Sequence, residues 1–311
     1  MLGPIMIDLL DLTLGNKDKQ RLKNPAVGGV ILFTRNYKSK KQITSLINSI
    51  RNINKYVLIA IDHEGGRVQR FKDGFTHIPA MGELGKLYDK KPNEAVNKTK
   101  EYGFILAKEL LDIGVDFSFA PVLDLDYGNS EVIGNRSFHA NPKIVSILAR
   151  ALISGMNKAG MLAVGKHFPG HGYVSDDSHF NIVIDNRDYE KIKKDISVYE
   201  NIDSLSAVML AHVIYSKIDE KPTCFSKVWI KDILRNKLNF KGIVFSDDLS
   251  MKSAYFFEEN IVKRTKIAIE SGCDMVLICN NVDAVDEVLG NDWEKSNKLI
   301  KMCAKNNQIK R

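Results

Sequence analysis

The sequence predicts a single-domain α/β protein built as a (β/α)8 barrel, and three observations carry that prediction. Eight short, nearly continuous apolar runs recur along the chain, as expected of parallel strands covered on both faces. Stretches of helical period separate most of them. Polar or ionisable residues follow nearly every run at the same end, where a barrel gathers its functional groups.

The runs are Ile5–Leu9, Val27–Phe33, Val57–Ile61, Val115–Ala120, Met161–Gly165, Ala207–Leu210, Ile243–Phe245 and Met275–Ile278. The first connection is short, with room for one or two helical turns. Ser39 reads as an N-cap ahead of the stripe Ile43, Leu46, Ile47 and Ile50. Asn141 and Pro142 form an N-cap and N1 pair before Ile144, Leu148 and Leu152. Ser226 precedes Ile230, Ile233 and Leu234, and Gly272 stops the pattern of Ile261, Ala268 and Ile269. An open doubly wound sheet is the competing architecture. The count of eight, and the absence of a GxGxxG turn after the first run, favour the barrel. No linker or break in composition divides the chain. The expectation is one domain over 1–311, with 291–311 a closing amphipathic helix and a basic tail.

Composition narrows the function. The 311 residues are 44% hydrophobic and 27% charged, ordinary for a soluble globular protein. No apolar run reaches the roughly 18 residues of a membrane span. The opening MLGPIMIDLL lacks a basic leader and a cleavage site, so it reads as a strand, not a signal peptide. The net charge is +7, but Lys far outnumbers Arg and is scattered. Such dispersal reads as a solvated surface, so no nucleic-acid partner is expected. Cys224, Cys273, Cys279 and Cys303 show no CxxC or zinc spacing, and read as reduced core thiols in a cytosol.

The chemistry-bearing segments follow the runs. IDHEGGRVQRF places Asp62 at a strand end, then a Gly pair and Arg70. These can bind ligand hydroxyls, or merely form a tight turn with ion pairs. FAPVLDLD puts Asp124 after the fourth run, and VIGNRSFH places Arg136 in the long loop beyond it. KHFPGHG, followed by DDSHF, concentrates Lys166, His167, His171, Asp177 and His179 in a Gly/Pro-rich stretch. One reading there is metal binding; another is acid–base work, with Asp177 orienting the His179 imidazole. VFSDDLSM sets Asp247 and Asp248 at the seventh run, where a carboxylate can attack an anomeric carbon or cap the next helix. Asp247 is expected to face the pocket and Asp248 to cap or brace. Together these groups describe a pocket that grips a polar ligand such as a sugar.

In this order and spacing, the five segments resemble the bacterial β-N-acetylglucosaminidases of glycoside hydrolase family 3, over roughly Gly3 to Cys279. The resemblance implies a barrel that removes terminal β-linked N-acetylglucosamine with retention, from muropeptide fragments, in cytoplasmic cell-wall recycling. It implies no cofactor and no metal, a small amino-sugar substrate as the partner, and no membrane association; a monomer is expected. By motif, Asp247 matches the nucleophile, His179 the general acid/base and Asp177 its dyad partner. Asp62, Arg70, Arg136, Lys166 and His167 match sugar-binding positions. Two departures are visible. The chain after the eighth run is short for the family, and His63 stands where many relatives carry Gln, so it is expected to alter pocket polarity. A metal-dependent barrel hydrolase, a phosphorylase of the same family and a non-catalytic sugar-binding barrel are the competing functions.

Overall fold

Each apolar run overlaps a strand of one parallel sheet: β1 Ile5–Asp8, β2 Val27–Leu32, β3 Leu58–Ile61, β4 Phe117–Ser118, β5 Val164–Phe168, β6 Ala207–Leu210, β7 Ile243–Asp248 and β8 Met275–Ile278. They belong to a computed structural model that describes residues 1–175 and 181–304. Hydrogen-bonded neighbours run β4-β3-β2-β1-β8-β7-β6-β5, which is chain order around a ring. The two ends of that order meet just past β4. Val122 bridges Lys166 of β5 in parallel, and the Leu123 amide donates to the Lys166 carbonyl at 2.6 Å. The sheet is thereby closed into a barrel, and the (β/α)8 expectation holds. Phe117 on β4 packs on Phe245 of β7 at 5.5 Å, and Phe119 meets both rings at 5.3 Å. Because β4 and β7 are not neighbours in the sheet, these contacts cross the barrel interior, which is filled with side chains.

The helices are α1 Asn16–Lys23, α2 Lys40–Ile53, α3 Met81–Lys90, α4 Pro92–Asp112, α5 Pro142–Ala159, α6 Tyr189–Glu200, α7 Lys252–Phe257, α8 Ile261–Ser271 and α9 Val282–Leu289. The Ser39 hydroxyl accepts from the Gln42 amide and the Asn141 side chain from the Lys143 amide, as the cap residues suggested. The segment after Ser226 is a π-wound helix, Val228–Lys237. Helix α4 crosses α5 so closely that a Cβ on Gly103 would lie 2.2 Å from the Leu152 carbonyl oxygen. All four cysteines are buried, and among the described residues none forms a disulfide. Among the described residues, no helix is long and apolar enough to cross a membrane.

Among the strand boundaries that differ from the sequence reading, those of β5 and β7 matter for the site. The fifth strand starts at Val164, not Met161, because the Met161 amide still bonds to Met156 O at the end of α5. Lys166 and His167 therefore lie within β5. The seventh strand runs on through Asp247 to Asp248, which pairs with Leu277 of β8 after a shift in register.

The tail also departs from expectation. Over 291–304 the chain forms no closing α-helix but a strap across the foot of the barrel. Ser296 bridges Leu2, and a five-residue 3-10 turn covers Lys298–Met302. The Lys298 ammonium meets Asp274 at 2.8 Å, and the Ala304 amide donates to the buried Asp116 at 3.2 Å. Hydrogen bonds to fixed carboxylates thus share the work with Leu299, Met302 and Cys303, which are buried in the core without forming an α-helix.

Candidate active site

A cavity of about 280 Å³ opens at the C-terminal ends of the strands, just below the usual range of ~300–1,000 Å³ for ligand sites. Ile31, Met209 and Leu277 supply apolar lining. Asp62, Glu64, Arg70, Arg136, Lys166, His167, Asp247 and Asp248 supply the charge and polarity. Six of the sequence-predicted residues, Asp62, Arg70, Arg136, Lys166, His167 and Asp247, are therefore brought together. The other two, Asp177 and His179, lie outside the described residues.

Local structure explains how the β3 side is built. After Asp62 the chain folds back on itself as two short antiparallel arms, His63–Gly65 and Val68–Gln69. Gly65 and Gly66 make the turn at φ +115° and +56°, and a Cβ on Gly66 would lie 2.7 Å from Ala80 Cβ. Only glycine fits such a turn readily. The fold-back brings Arg70 beside Asp62, with NH2 3.3 Å from Oδ2.

Four charges form a buried lattice beneath that arm. The Lys166 ammonium lies 2.8 Å from Asp62 Oδ1 and 2.6 Å from Glu64 Oε1. Arg136 reaches in from its loop and forks Glu64, donating from Nε at 2.9 Å and from NH2 at 2.8 Å. Paired bonds of this kind are the strong, orienting ones. Burial alone would push both carboxyls up, but the cations outweigh it. Lys166 and then Arg70 hold Asp62 below its ordinary value, and Arg136 and Lys166 hold Glu64 far below. Burial opposes the charge on Lys166 as well, yet Asp62 and Glu64 raise it. All four groups stay charged at neutral pH.

Beside the lattice lies a carboxylate–imidazole pair. Asp124 is fully buried, and its Oδ2 lies 2.7 Å from His167 Nδ1. Its Oδ1 accepts the His171 amide at 2.7 Å. Burial would raise Asp124, but His167 overcomes it and the carboxyl is lowered. Burial, then His167, pushes the His171 imidazole down to about 4.

The β7 side holds its carboxylates differently. Asp247 Oδ1 accepts the Asp248 amide at 2.8 Å. Asp248 Oδ1 accepts the amides of Ser250 and Cys279, at 2.9 and 3.0 Å. Burial, with Asp247 and Asp8 adding repulsion, pushes Asp248 up to about 7 against those amides. Asp248 is thus a brace between β7 and β8 rather than a helix cap, and it also lines the cavity.

His63 does not line the cavity. It is buried against Phe71 and Phe75, at 6.4 and 5.9 Å between ring centres, and burial and then Arg70 push it down to about 4. Its expected influence on pocket polarity is not supported by that position. Glu64 and Asp124, by contrast, stand in two of the chemistry-bearing segments, yet the sequence alone suggests no role for either. Glu64 lies two residues from Asp62 along an extended arm, a spacing that returns side chains to one face. Among the described residues, no group of three or more His, Cys, Asp or Glu is arranged to hold a metal ion.

A closed β/α barrel with buried carboxylates and cations converging at its C-terminal mouth defines an enzyme of the kind that handles polar, hydroxyl-rich ligands. Comparison with known proteins is consistent with that class. The glycosyl hydrolase family 3 N-terminal domain matches residues 6–305, and the chain belongs to that family. It is 49% identical over 298 residues to a β-hexosaminidase of Methylobacillus flagellatus, covering 94% of this chain and 85% of that one. A β-hexosaminidase of Bordetella parapertussis is 51% identical over 292 residues, covering 92% and 82%. NagZ of Neisseria gonorrhoeae, solved with N-trifluoroacetyl-D-glucosamine, superposes with a TM-score of 0.92 at 44% identity, covering 97% of this chain and 90% of that one.

Proposed function

We propose that this barrel removes terminal, non-reducing β-linked N-acetylglucosamine from peptidoglycan-derived muropeptides by double displacement, as a cytoplasmic monomer in cell-wall recycling. The enzyme class, β-hexosaminidase, rests on family membership and on relatives of about half-identical sequence. The observation that carries the mechanism is Asp247, a carboxylate in one cavity with Asp62, Arg70, Arg136, Lys166 and His167.

The sugar sits against the charged lattice, where Asp62 accepts from its hydroxyls and Arg70, Arg136 and Lys166 donate to them. Asp247 attacks the anomeric carbon as the bond to the leaving oxygen breaks, giving a glycosyl ester. His179, oriented by Asp177, gives its proton to the departing oxygen, then takes one from water as that water attacks the ester. An imidazole suits this task, since its unperturbed pKa of about 6.5 lies near neutral pH.

The test uses a β-N-acetylglucosaminide, with and without phosphate, followed by NMR of the first product. Free β-N-acetylglucosamine in both cases supports retention with water as acceptor. A sugar phosphate identifies a phosphorylase, and a first-formed α-hydroxyl product rejects double displacement. His179→Ala should slow turnover strongly for sugar leaving groups and weakly for very acidic phenols. Equal losses for both count against His179 as the acid.

A further inference from the structure

We infer that Asp124 is a positioning residue that fixes His167 as its Nδ1–H tautomer, so that Nε2 offers the sugar a hydrogen-bond acceptor. This rests on the reading that His167 binds the sugar, and it adds the group that sets how it binds.

The geometry fixes the proton on one ring nitrogen. An ionised carboxylate only accepts hydrogen bonds. At 2.7 Å from Asp124 Oδ2, the His167 Nδ1 must therefore carry a proton. The same carboxylate accepts the His167 amide, at 3.2 and 3.3 Å, so it holds both the backbone and the ring of that residue. It also takes the His171 amide at 2.7 Å, which ties the turn after β5 to the same buried anchor. The ring then has no freedom to flip without breaking a contact to a group of zero exposure. The residue lines the cavity, and Nε2 is the ring nitrogen that Asp124 leaves uncommitted.

The neighbours show why an acceptor matters there. Lys166, Arg70 and Arg136 line the same cavity and are donors only. A sugar hydroxyl both donates and accepts. A wall made only of cations would leave the hydroxyl proton without a partner, whereas a neutral imidazole Nε2 accepts it. Asp62 supplies acceptors too, but two of its contacts are already taken by Lys166 and Arg70. With the ring unprotonated at Nε2, the carboxylate–imidazole pair thus adds a directional acceptor that the lattice does not consume.

Two measurements test this. The first needs no variant. Nitrogen-15 spectra of histidine-labelled enzyme at pH 8 should show His167 with a protonated Nδ1 and a bare Nε2; the opposite tautomer overturns the inference. The second is a double-mutant cycle on a neutral aryl β-N-acetylglucosaminide. Asp124→Asn, whose amide can donate to Nδ1 and favours the other tautomer, should raise KM and lower kcat/KM by about 10- to 100-fold, the scale known for carboxylates behind metal-bound histidines. In a His167→Ala background the same change should cost less than about two-fold, because Asp124 acts through that ring. An equal loss in both backgrounds means a structural role and overturns the inference alone. If His167→Ala itself leaves kcat/KM unchanged, the sugar-binding reading of His167 fails, and this role fails with it.

Discussion

The two sides of the cavity hold their carboxylates by opposite means. On the β3 and β5 side, Asp62 and Glu64 are met by ammonium and guanidinium groups at 2.6–2.9 Å. On the β7 side, Asp247 and Asp248 accept backbone amides. The consequence appears in their acidities: Asp62 and Glu64 are held down, whereas Asp248 is pushed up to about 7. A carboxylate matched to a cation is a fixed recognition element. One held by amides has no cation beside it, so burial makes its charge harder to keep, as at Asp248. Set beside the proposed function, the comparison makes the β7 side the place to test for bond-making and the β3 and β5 side the place to test for binding.

The strongest way to break that division is Asp247→Ala. Turnover should fall by at least about 1,000-fold, the scale seen when a nucleophile is removed, with the melting temperature within a few degrees of the parent. Substantial residual activity would move bond-making elsewhere.

Next in size is Glu64→Gln. It strips one carboxylate from Lys166 and Arg136 and leaves both cations buried. Breaking buried pairs costs about 3–5 kcal/mol, and the shape-conserving Gln should sit at the lower end. Denaturant unfolding at pH 7 should report this, together with a raised KM and a smaller change in kcat. Unchanged stability would mean that the lattice is not held by charge.

The smallest effect concerns Asp248. Its folded pKa of about 7 lies above the ordinary 3.8, so between those values the folded state binds the extra proton. Stability from this group is full at low pH and is lost as pH rises through 7. Asp248→Asn should remove that loss. Because the side chain is only partly shielded from solvent, the recovered stability is on the order of 1 kcal/mol. The gap between variant and parent in melting temperature should widen from pH 5 to pH 8. A constant gap would show that Asp248 ionises normally.

Much of this was legible in the residues. Apolar runs marked all eight strands because barrel strands are buried on both faces, which writes a continuous signal. The strand ends were less visible. Lys166, His167, Asp247 and Asp248 sit inside strands because the ladder continues into the polar residues, and hydropathy cannot report a ladder. The tail misled for a related reason. Trp293, Leu299, Ile300 and Cys303 suggested a helix face, yet contacts to Asp274 and Asp116, more than 20 residues away in sequence, set its path. Glu64 and Asp124 are visible in their motifs but carry no meaning there, since that meaning lies in partners far along the chain. Glu64 meets Arg136, and Asp124 meets His167, across separations of 72 and 43 residues.

The join between the two ends of the barrel carries one more consequence. Lys166 contributes its backbone to the last fastening of the ring, opposite Val122 and Leu123, and its ammonium to Asp62 and Glu64. Scaffold closure and the charged wall of the cavity thus meet in a single residue. On the proposed function, in which Lys166 holds the sugar, a guest that tightens the ammonium's hold would also secure the hoop, and by thermodynamic reciprocity a slackened hoop would loosen the guest. Substitutions far away that disturb this fastening should therefore surface as weaker affinity before they surface as unfolding.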